Sequence, residues 1–272
     1  MENGPYRPRA DHQLDINPYS WHTYANVLFI DQPAGTGFSY AERGSGVHDI
    51  PTAAKAIRIF LGKFFKVFPE YEQSEVYLAG ESYAGVYIPY IARELVDASE
   101  RPGTDFRVNL AGLAFGNGWV DGYMHVGARG KDMSIAARNL TRECDLDYKR
   151  YGERIKFESC DKIFDVILNA SIQMYVAAGN KTCLNIYDKR LRDPYPECGM
   201  AWPPILPHVY SYLKAGAGLR KDVVKAIHAE GKPTQWTECD NNVMTSLNDD
   251  RSKSSHLVRA PLARGDVQAA QY

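Results

Sequence analysis

The chain has 272 residues, and its 32 Lys and Arg against 33 Asp and Glu leave a formal charge of −1. Because nucleic-acid binding needs a surplus of basic residues, this balance excludes nucleic acid as an expected partner. With 44% hydrophobic and 24% charged residues, the composition is that of a globular protein. No apolar run approaches the ~18 residues of a membrane span. Residues 1–5 contain no charged-then-apolar segment, so neither a membrane segment nor a signal peptide is expected in this chain.

The first part of the chain predicts one strand and one long helix. Residues 25–30 form a short apolar run, typical of a buried strand, which the Pro and Gly residues of 31–37 bring to an end. From Pro51 onwards, apolar residues recur at three- and four-residue spacing and make one apolar helix face. Pro51 suits the first turn of that helix, and Pro69 ends it.

Two more strands and a second helix follow. Strands are predicted at 75–79 and 110–115, and a helix from about Val86 to Ala98 lies between them. Strands and helices that alternate through short connections predict an α/β fold with a parallel sheet and right-handed crossovers. One further amphipathic helix is predicted from four apolar residues that again recur at helical spacing, Leu219, Val223, Val224 and Ile227.

Cysteines and glycosylation sequons cluster in the second half of the chain. The cysteines are Cys144, Cys160, Cys183, Cys198 and Cys239, and the sequons begin at Asn139, Asn169 and Asn180. Together they indicate an oxidising secretory compartment, the alternative being five buried, reduced thiols in a cytosolic protein. No cysteine pair has metal-ligand spacing, so no metal and no cofactor are expected.

One short motif combines a strand, a tight turn and a helix around a serine. Gly80-Glu81-Ser82-Tyr83-Ala84-Gly85 follows the second strand and opens the next helix, which is the setting of a nucleophile elbow. Small residues on both sides of Ser82 let the chain turn sharply, and the backbone N–H of Tyr83 then points at a developing oxyanion. A serine at a helix N-terminus can instead be a simple cap, but the strand before it favours the nucleophile.

Several further segments stand in the order and spacing of one enzyme family. They are Glu2-Asn3-Gly4-Pro5-Tyr6, residues 26–40 and 64–71, the Ser82 motif and Asn117-Gly118-Trp119. On these segments the chain resembles the serine carboxypeptidases, closely over residues 1 to about 120 and again over 183–204 and 212–239. The resemblance is strongest to the fungal Golgi pheromone-processing branch, whose members remove C-terminal Lys and Arg.

The resemblance implies a fold, a reaction and a set of site residues. The fold is an α/β-hydrolase, a mostly parallel sheet flanked by helices, with a helical, disulfide-containing cap insertion. The reaction is hydrolysis at the C-termini of peptides and proteins through an acyl-enzyme, with Ser82 as nucleophile and the Tyr83 N–H as oxyanion donor. The family holds the terminal carboxylate with two acids that match Glu2 and Glu81. Acids that share protons with a carboxylate favour binding at acidic pH.

Parts of the family's catalytic machinery have no match in the sequence. An elbow serine needs an Asp and a His later in the chain, and neither the family's G-D-x-D-like turn nor its G-H motif is present. His228 and His256 match family positions without a catalytic role, and the family's glycine-rich oxyanion segment would precede Met1. The chain is therefore expected to be an internal piece of a carboxypeptidase, inactive as it stands and incomplete as a fold.

The resemblance also divides the chain into three parts. A partial core with the elbow is expected over 1–119, a cap insertion over 120–204, and a return to the core over 205–272. Ser254-Ser255-His256-Leu257-Val258 resembles the family segment just before the Asp strand, so the last part is expected to end before the strands that carry the Asp and the His.

Disulfide pairing and compartment are implied in the same way. Bridges are expected for Cys183–Cys198 and Cys144–Cys160, while Cys239 matches a family cysteine whose partner precedes Met1. The parent protein is expected in the secretory pathway, in the Golgi, in the vacuole or secreted.

Two other functions stay open on the sequence. A pseudoenzyme or peptide-carboxylate-binding module would keep Glu2 and Glu81 without turnover. An esterase or lipase would use the same elbow, although Glu81 beside the nucleophile argues against it, because an apolar ester gains nothing from a second acid.

Overall fold

The computed structural model describes most of the first 120 residues and separate pieces of the rest. Described are residues 3–9, 11, 13–42, 47–103, 106–120, 135–151, 159–160, 162, 182–184, 192–194, 214–215, 218–219, 221–231, 243, 247 and 268–271. The chain divides into two compact units, one of Met1–Glu42 with Ala170–Cys239 and one of Arg43–Asn169 with Asp240–Tyr272. The three parts expected from the sequence, with boundaries after 119 and 204, stay a prediction.

The regular elements are short in the first unit and longer in the second. In chain order they are β1 (Tyr6–Pro8), β2 (Leu14–Ile16), α1 (Ile50–Val67), β3 (Val76–Glu81), α2 (Ala84–Glu100), β4 (Leu110–Gly116), α3 (Ile135–Tyr151), β5 (Thr182–Leu184), β6 (Arg192–Pro194), β7 (Lys214–Ala215), β8 (Gly218–Leu219), α4 (Lys221–Ala226) and β9 (Gln268–Gln271). Single 3₁₀ turns lie at Trp21–Thr23 and Pro69–Tyr71.

A parallel sheet in the second unit carries the elbow. Its described strands lie in the order β3–β4–β9, and both pairings are parallel. β3 pairs with β4 along its whole length, from Val76 to Glu81. The predicted strands at 75–79 and 110–115, their parallel direction and the α/β class are therefore confirmed.

β9 is a strand that the sequence does not predict. It pairs with residues 112–115 of β4 and so extends the sheet on the side away from β3. The expectation that the last part of the chain ends before the strands that carry the Asp and the His stays a prediction. A Gln-Ala-Ala-Gln segment has no apolar alternation, and it is a strand because its backbone pairs with β4.

α1 begins and ends where its sequence signals place it. The Asp49 side chain accepts a hydrogen bond of 2.7 Å from the Thr52 N–H, which caps the first turn before Pro51. At the other end, the Phe68 N–H donates to the Phe64 carbonyl just before Pro69. The helix predicted from about Pro51 to Pro69 is confirmed.

The core of the second unit lies between the two long helices and between α2 and the sheet. The α1–α2 cluster consists of buried apolar residues from both helices: Ala54, Ile57, Leu61, Phe65, Ile91 and Leu95. A second cluster joins α2 to β4 through Ile88, Ala92, Leu113 and Phe115. Arg58 on α1 also donates to Glu94 on α2 at 2.8 Å, so a half-buried ion pair accompanies the apolar contact. This packing holds the N-terminus of α2 against the ends of β3 and β4.

The strand predicted at 25–30 is absent, and that prediction is wrong. The segment has no regular structure, and Leu28 and Phe29 are 44% and 60% exposed. A strand needs a neighbour for its backbone groups, and none of the described segments pairs with this one. The following turn is ordered, since the Asp31 carboxylate accepts from the Phe38 N–H at 2.6 Å.

Two buried polar side chains organise the start of the first unit. Nδ2 of Asn17 donates to the Gly4 carbonyl at 2.8 Å, and Oγ of Ser20 donates to the Asn3 carbonyl at 2.8 Å. Asn17 and Ser20 are 1% and 0% exposed. These bonds fix the backbone of the Asn3–Gly4 segment, and the β1–β2 hairpin begins two residues later.

The predicted helix around Val223 is confirmed in part. α4 covers Lys221–Ala226, whereas Leu219 lies in β8. In the second unit, the expected Cys144–Cys160 disulfide is present and both of its cysteines are buried. The expected Cys183–Cys198 bridge and the pairing of Cys239 lie outside the described residues.

Candidate active site

Ser82 occupies the turn between β3 and α2. β3 ends at Glu81 and α2 begins at Ala84, so only Ser82 and Tyr83 connect strand and helix. Ser82 has φ +56°, in the left-handed region that residues with a Cβ rarely adopt, and its side chain is exposed. A strained, exposed serine between a strand and a helix is the geometry of a nucleophile elbow.

Gly80 and Gly85 are required by close approaches at this turn. A Cβ on Gly80 would lie 2.5 Å from the Cβ of Ala84 in the first turn of α2. A Cβ on Gly85 would lie 2.6 Å from the backbone N of Trp119 and 2.8 Å from the carbonyl carbon of Gly118. The small residues that the sequence analysis singled out around Ser82 therefore have a steric reason.

A segment after β4, Gly116–Trp119, holds the backbone of Ser82 on both sides. The Ser82 N–H donates to the Gly116 carbonyl at 2.9 Å, and the Trp119 N–H donates to the Ser82 carbonyl at 2.7 Å. Asn117, between these partners, has φ +45°. We refer to these four residues as the clamp segment. Asn117–Trp119 is part of the family resemblance, but the resemblance implies no role for it; its signal in the sequence is an Asn between two glycines directly after a strand.

Aromatic side chains pack behind the elbow. The Tyr83 and Tyr87 rings lie 5.1 Å apart in an edge-to-face arrangement. Tyr83, Tyr87 and Trp119 pack against a buried cluster that includes Ile50 and Val86. Burial, and secondarily the charge of Tyr83, raises the pKa of Tyr87 well above the value of an exposed tyrosine. The elbow thus has an apolar support in which tyrosine stays neutral.

Of the other predicted site residues, the structure describes some and not others. Glu81 is exposed at the end of β3, opposite Gly116 of β4 and directly before Ser82. Tyr83 is the residue that precedes α2, where the partial positive charge of the helix N-terminus favours an anion. Glu2, the other predicted carboxylate-binding residue, lies outside the described residues.

Other predicted positions lie away from the elbow or are not described. Asn139 is exposed on α3, whereas Asn169 and Asn180 lie outside the described residues. His228 is exposed beyond the end of α4 in the first unit, and His256 is not described. The described part of the chain contains no cluster of three or more potential metal ligands. Nor does any helix within it have the length and apolarity to cross a membrane.

The parallel sheet and the elbow together define an α/β-hydrolase. The family model for serine carboxypeptidase matches residues 1–272, so the chain belongs to the serine carboxypeptidase family. The resemblance seen in the sequence motifs is thereby confirmed.

Fungal carboxypeptidases are among the relatives of this chain. The chain is 41% identical over 269 residues to the pheromone-processing carboxypeptidase KEX1 of Pyricularia oryzae, an alignment that covers 94% of this chain and 41% of that protein. It is 38% identical over 279 residues to the protein of that name from Sordaria macrospora, with 97% and 42% covered. The chain therefore spans about two fifths of the length of these relatives.

A solved structure has the same fold. The chain is similar to the crystal structure of KEX1(delta)P, a prohormone-processing carboxypeptidase from Saccharomyces cerevisiae, with a TM-score of 0.79 and 29% sequence identity. The similarity covers 99% of this chain and 60% of that one. The α/β-hydrolase class expected from the sequence is confirmed.

Proposed function

We propose that this chain carries the nucleophile and part of the substrate site of a serine-type carboxypeptidase that removes C-terminal residues, Lys and Arg among them. The observation that carries the proposal is Ser82, exposed and left-handed between β3 and α2. Membership of the serine carboxypeptidase family supports this reaction in preference to other elbow chemistry. The pheromone-processing relatives support the choice of basic terminal residues.

In the proposed reaction, the Ser82 hydroxyl attacks the carbonyl of the last peptide bond. A base takes the hydroxyl proton and passes it to the leaving amine, so an acyl-enzyme forms and the terminal amino acid departs. The Tyr83 N–H, at the start of α2, stabilises the oxyanion. Water then attacks the acyl group, and Ser82 regains its proton.

We assign recognition of the substrate carboxylate to Glu81 and Glu2. Glu81 directly precedes the nucleophile and is exposed, so it can reach a group bound beside Ser82. An acid in this place suits a carboxypeptidase better than an esterase, because the Glu81 carboxyl group and the terminal carboxylate of a peptide can share one proton. For Glu2, support comes from its match to the second carboxylate-binding acid of the family in the sequence motif Glu2-Asn3-Gly4-Pro5-Tyr6.

We also propose that the protein works in the secretory pathway. The buried Cys144–Cys160 disulfide and the exposed Asn139 sequon support an oxidising compartment with glycosylation.

The deciding experiment combines a fluorophosphonate probe with peptide hydrolysis. The full-length parent protein is expected to be labelled and to release Lys or Arg from a free-acid peptide, while its Ser82→Ala variant does neither. This chain by itself is expected to do neither, because the Asp and His motifs of the family have no match in it. The C-terminal amide of the same peptide should be a poor substrate. Glu81→Gln should raise the Michaelis constant for the free acid about tenfold or more at acidic pH, because an amide cannot share a proton with the substrate carboxylate. Glu75→Gln, an exposed acid beside the other end of β3, is the matched control.

Other outcomes identify the alternatives. Binding of free-acid peptides by the full-length parent protein without Ser82-dependent labelling would contradict catalysis and indicate a peptide-carboxylate-binding module. Labelling with ester hydrolysis but no release of amino acids would indicate an esterase.

A further inference from the structure

The left-handed backbone of Ser82 depends on bonds from a distant part of the chain. Its N–H and its carbonyl are both bonded to the clamp segment, to Gly116 at 2.9 Å and to Trp119 at 2.7 Å. Since both groups belong to peptide planes that meet at the Cα of Ser82, fixing both planes fixes its φ and ψ. The direction of the Cα–Cβ bond, and thus of the nucleophilic oxygen, follows from these two angles.

Asn117 makes this double contact possible. The clamp segment bonds to Ser82 through the Gly116 carbonyl and, three residues later, through the Trp119 N–H. Its backbone must reverse direction between these two groups. Asn117 provides the reversal with φ +45°. Asn tolerates this region better than other residues with a Cβ. Its side chain is exposed, so burial of that side chain is not what holds the turn.

Close backbone contact reinforces the arrangement. An added Cβ on Gly118 would lie 3.4 Å from the Cα of Gly85, and one on Gly85 would meet Trp119 at 2.6 Å. The clamp segment therefore lies directly on the first turn of α2. A change in the path of the clamp segment would move both the serine and the start of the helix.

We propose that Asn117 is a positioning residue for the nucleophile, acting through its left-handed backbone and not through its side chain. The inference rests on the proposed function, because it gives Asn117 the task of orienting the Ser82 hydroxyl. It assigns no contact between Asn117 and the substrate.

Two variants of the full-length parent protein distinguish an effect of the Asn117 backbone from an effect of its side chain. Asn117→Gly removes the side chain but keeps the left-handed region accessible, and its kcat should stay within about threefold of wild type. Asn117→Val adds a β-branched side chain that strongly disfavours this region, and its kcat should fall about tenfold or more. The Michaelis constant should stay within about twofold in both variants. A general loss of structure would not produce this split.

Amide hydrogen exchange tests the bonds between Ser82 and the clamp segment without an assay of enzymatic activity. Asn117→Val should accelerate exchange at the Ser82 and Trp119 amides about tenfold, and Asn117→Gly should leave both close to wild type. Asn117→Ala replaces the valine variant if that protein does not fold, with a smaller effect in the same direction. If the full-length parent protein fails to react with the fluorophosphonate, the proposed function fails, while the exchange comparison still decides this inference.

Two results would overturn the inference. The first is an Asn117→Gly variant as slow as Asn117→Val, which would show that the side chain acts. The second is unchanged exchange at Ser82 and Trp119 in Asn117→Val.

Discussion

Three described residues with side chains have left-handed backbone: Ser82, Asn117 and His228. The first two meet at the elbow, whereas His228 ends α4, where its N–H donates to Lys225 and the next N–H donates to Val224. The strain at His228 is that of a helix C-terminus and needs no catalytic explanation. Positive φ indicates a site only where the surrounding backbone holds an exposed reactive group.

The sequence predicts the strand–turn–helix geometry around Ser82 because the elbow motif is local. Gly80 is required by Ala84, four residues further on, whereas the reason for Gly85 is its contact with Gly118 and Trp119 of the clamp segment. The clamp by Gly116 and Trp119 could not be predicted, because it depends on which strand lies beside β3. No pattern within the elbow motif contains that information.

Tyr87 should make folding sensitive to alkaline pH. Its pKa is raised in the folded protein, so above about pH 10 the unfolded chain loses a proton that the folded chain keeps. Stability from this group is therefore present below pH 10 and falls by up to about 1.4 kcal/mol per pH unit above it. Between pH 9 and 11, the free energy of unfolding of Tyr87→Phe should fall by about 1 kcal/mol less than that of the wild type. Urea unfolding at the two pH values is the measurement. Tyr24→Phe, at an exposed site, should behave like wild type.

Among the elements, the sequence predicts correctly those whose apolar periodicity matches the face that they bury. α1, β3, α2 and β4 each have a periodicity that matches the face they bury. The segment 25–30 has the composition of a strand but no described neighbour to pair with, and β9 has a neighbour without the composition. Strand formation thus depends on pairing, which composition reflects only indirectly.

The α1–α2 contact should carry much of the stability of the second unit. Leu61 is 5% exposed between the two helices, so Leu61→Ala should lower the free energy of unfolding by about 2–5 kcal/mol. Val67, on the same helix, is 68% exposed, and Val67→Ala should change it by less than about 0.5 kcal/mol. Thermal or urea unfolding of both variants is the measurement. Equal losses would show that this contact is not part of the folding core.

For the molecule as a whole, the fold class followed from chain order, while the division into units did not. Residues 1–42 group with 170–239, and residues 43–169 with 240–272. Such a grouping depends on contacts between distant segments, to which periodicity and motifs give no access.

The Cys144–Cys160 bridge should stabilise the second unit by lowering the conformational entropy of its unfolded chain. Its cysteines are 16 positions apart, and a loop of this size contributes about 3 kcal/mol by the chain-entropy account. The Cys144→Ala/Cys160→Ala double variant should lose about that amount in urea unfolding under oxidising conditions. Equal stability of variant and wild type would contradict the prediction. So would alkylation of either cysteine in native wild-type protein.

The clamp on Ser82 also has a consequence during protein synthesis. A ribosome-bound chain that ends at Glu100 already contains β3, the serine and α2, yet the bonds from Gly116 and Trp119 do not exist. Without them, the bond of 3.0 Å from the Gly85 N–H to the Ser82 carbonyl remains, but the Ser82 N–H lacks its partner and the left-handed backbone is held on one side only. We therefore expect Ser82 to take up its elbow geometry fully only once the chain has been translated as far as Trp119 and β4 has paired with β3.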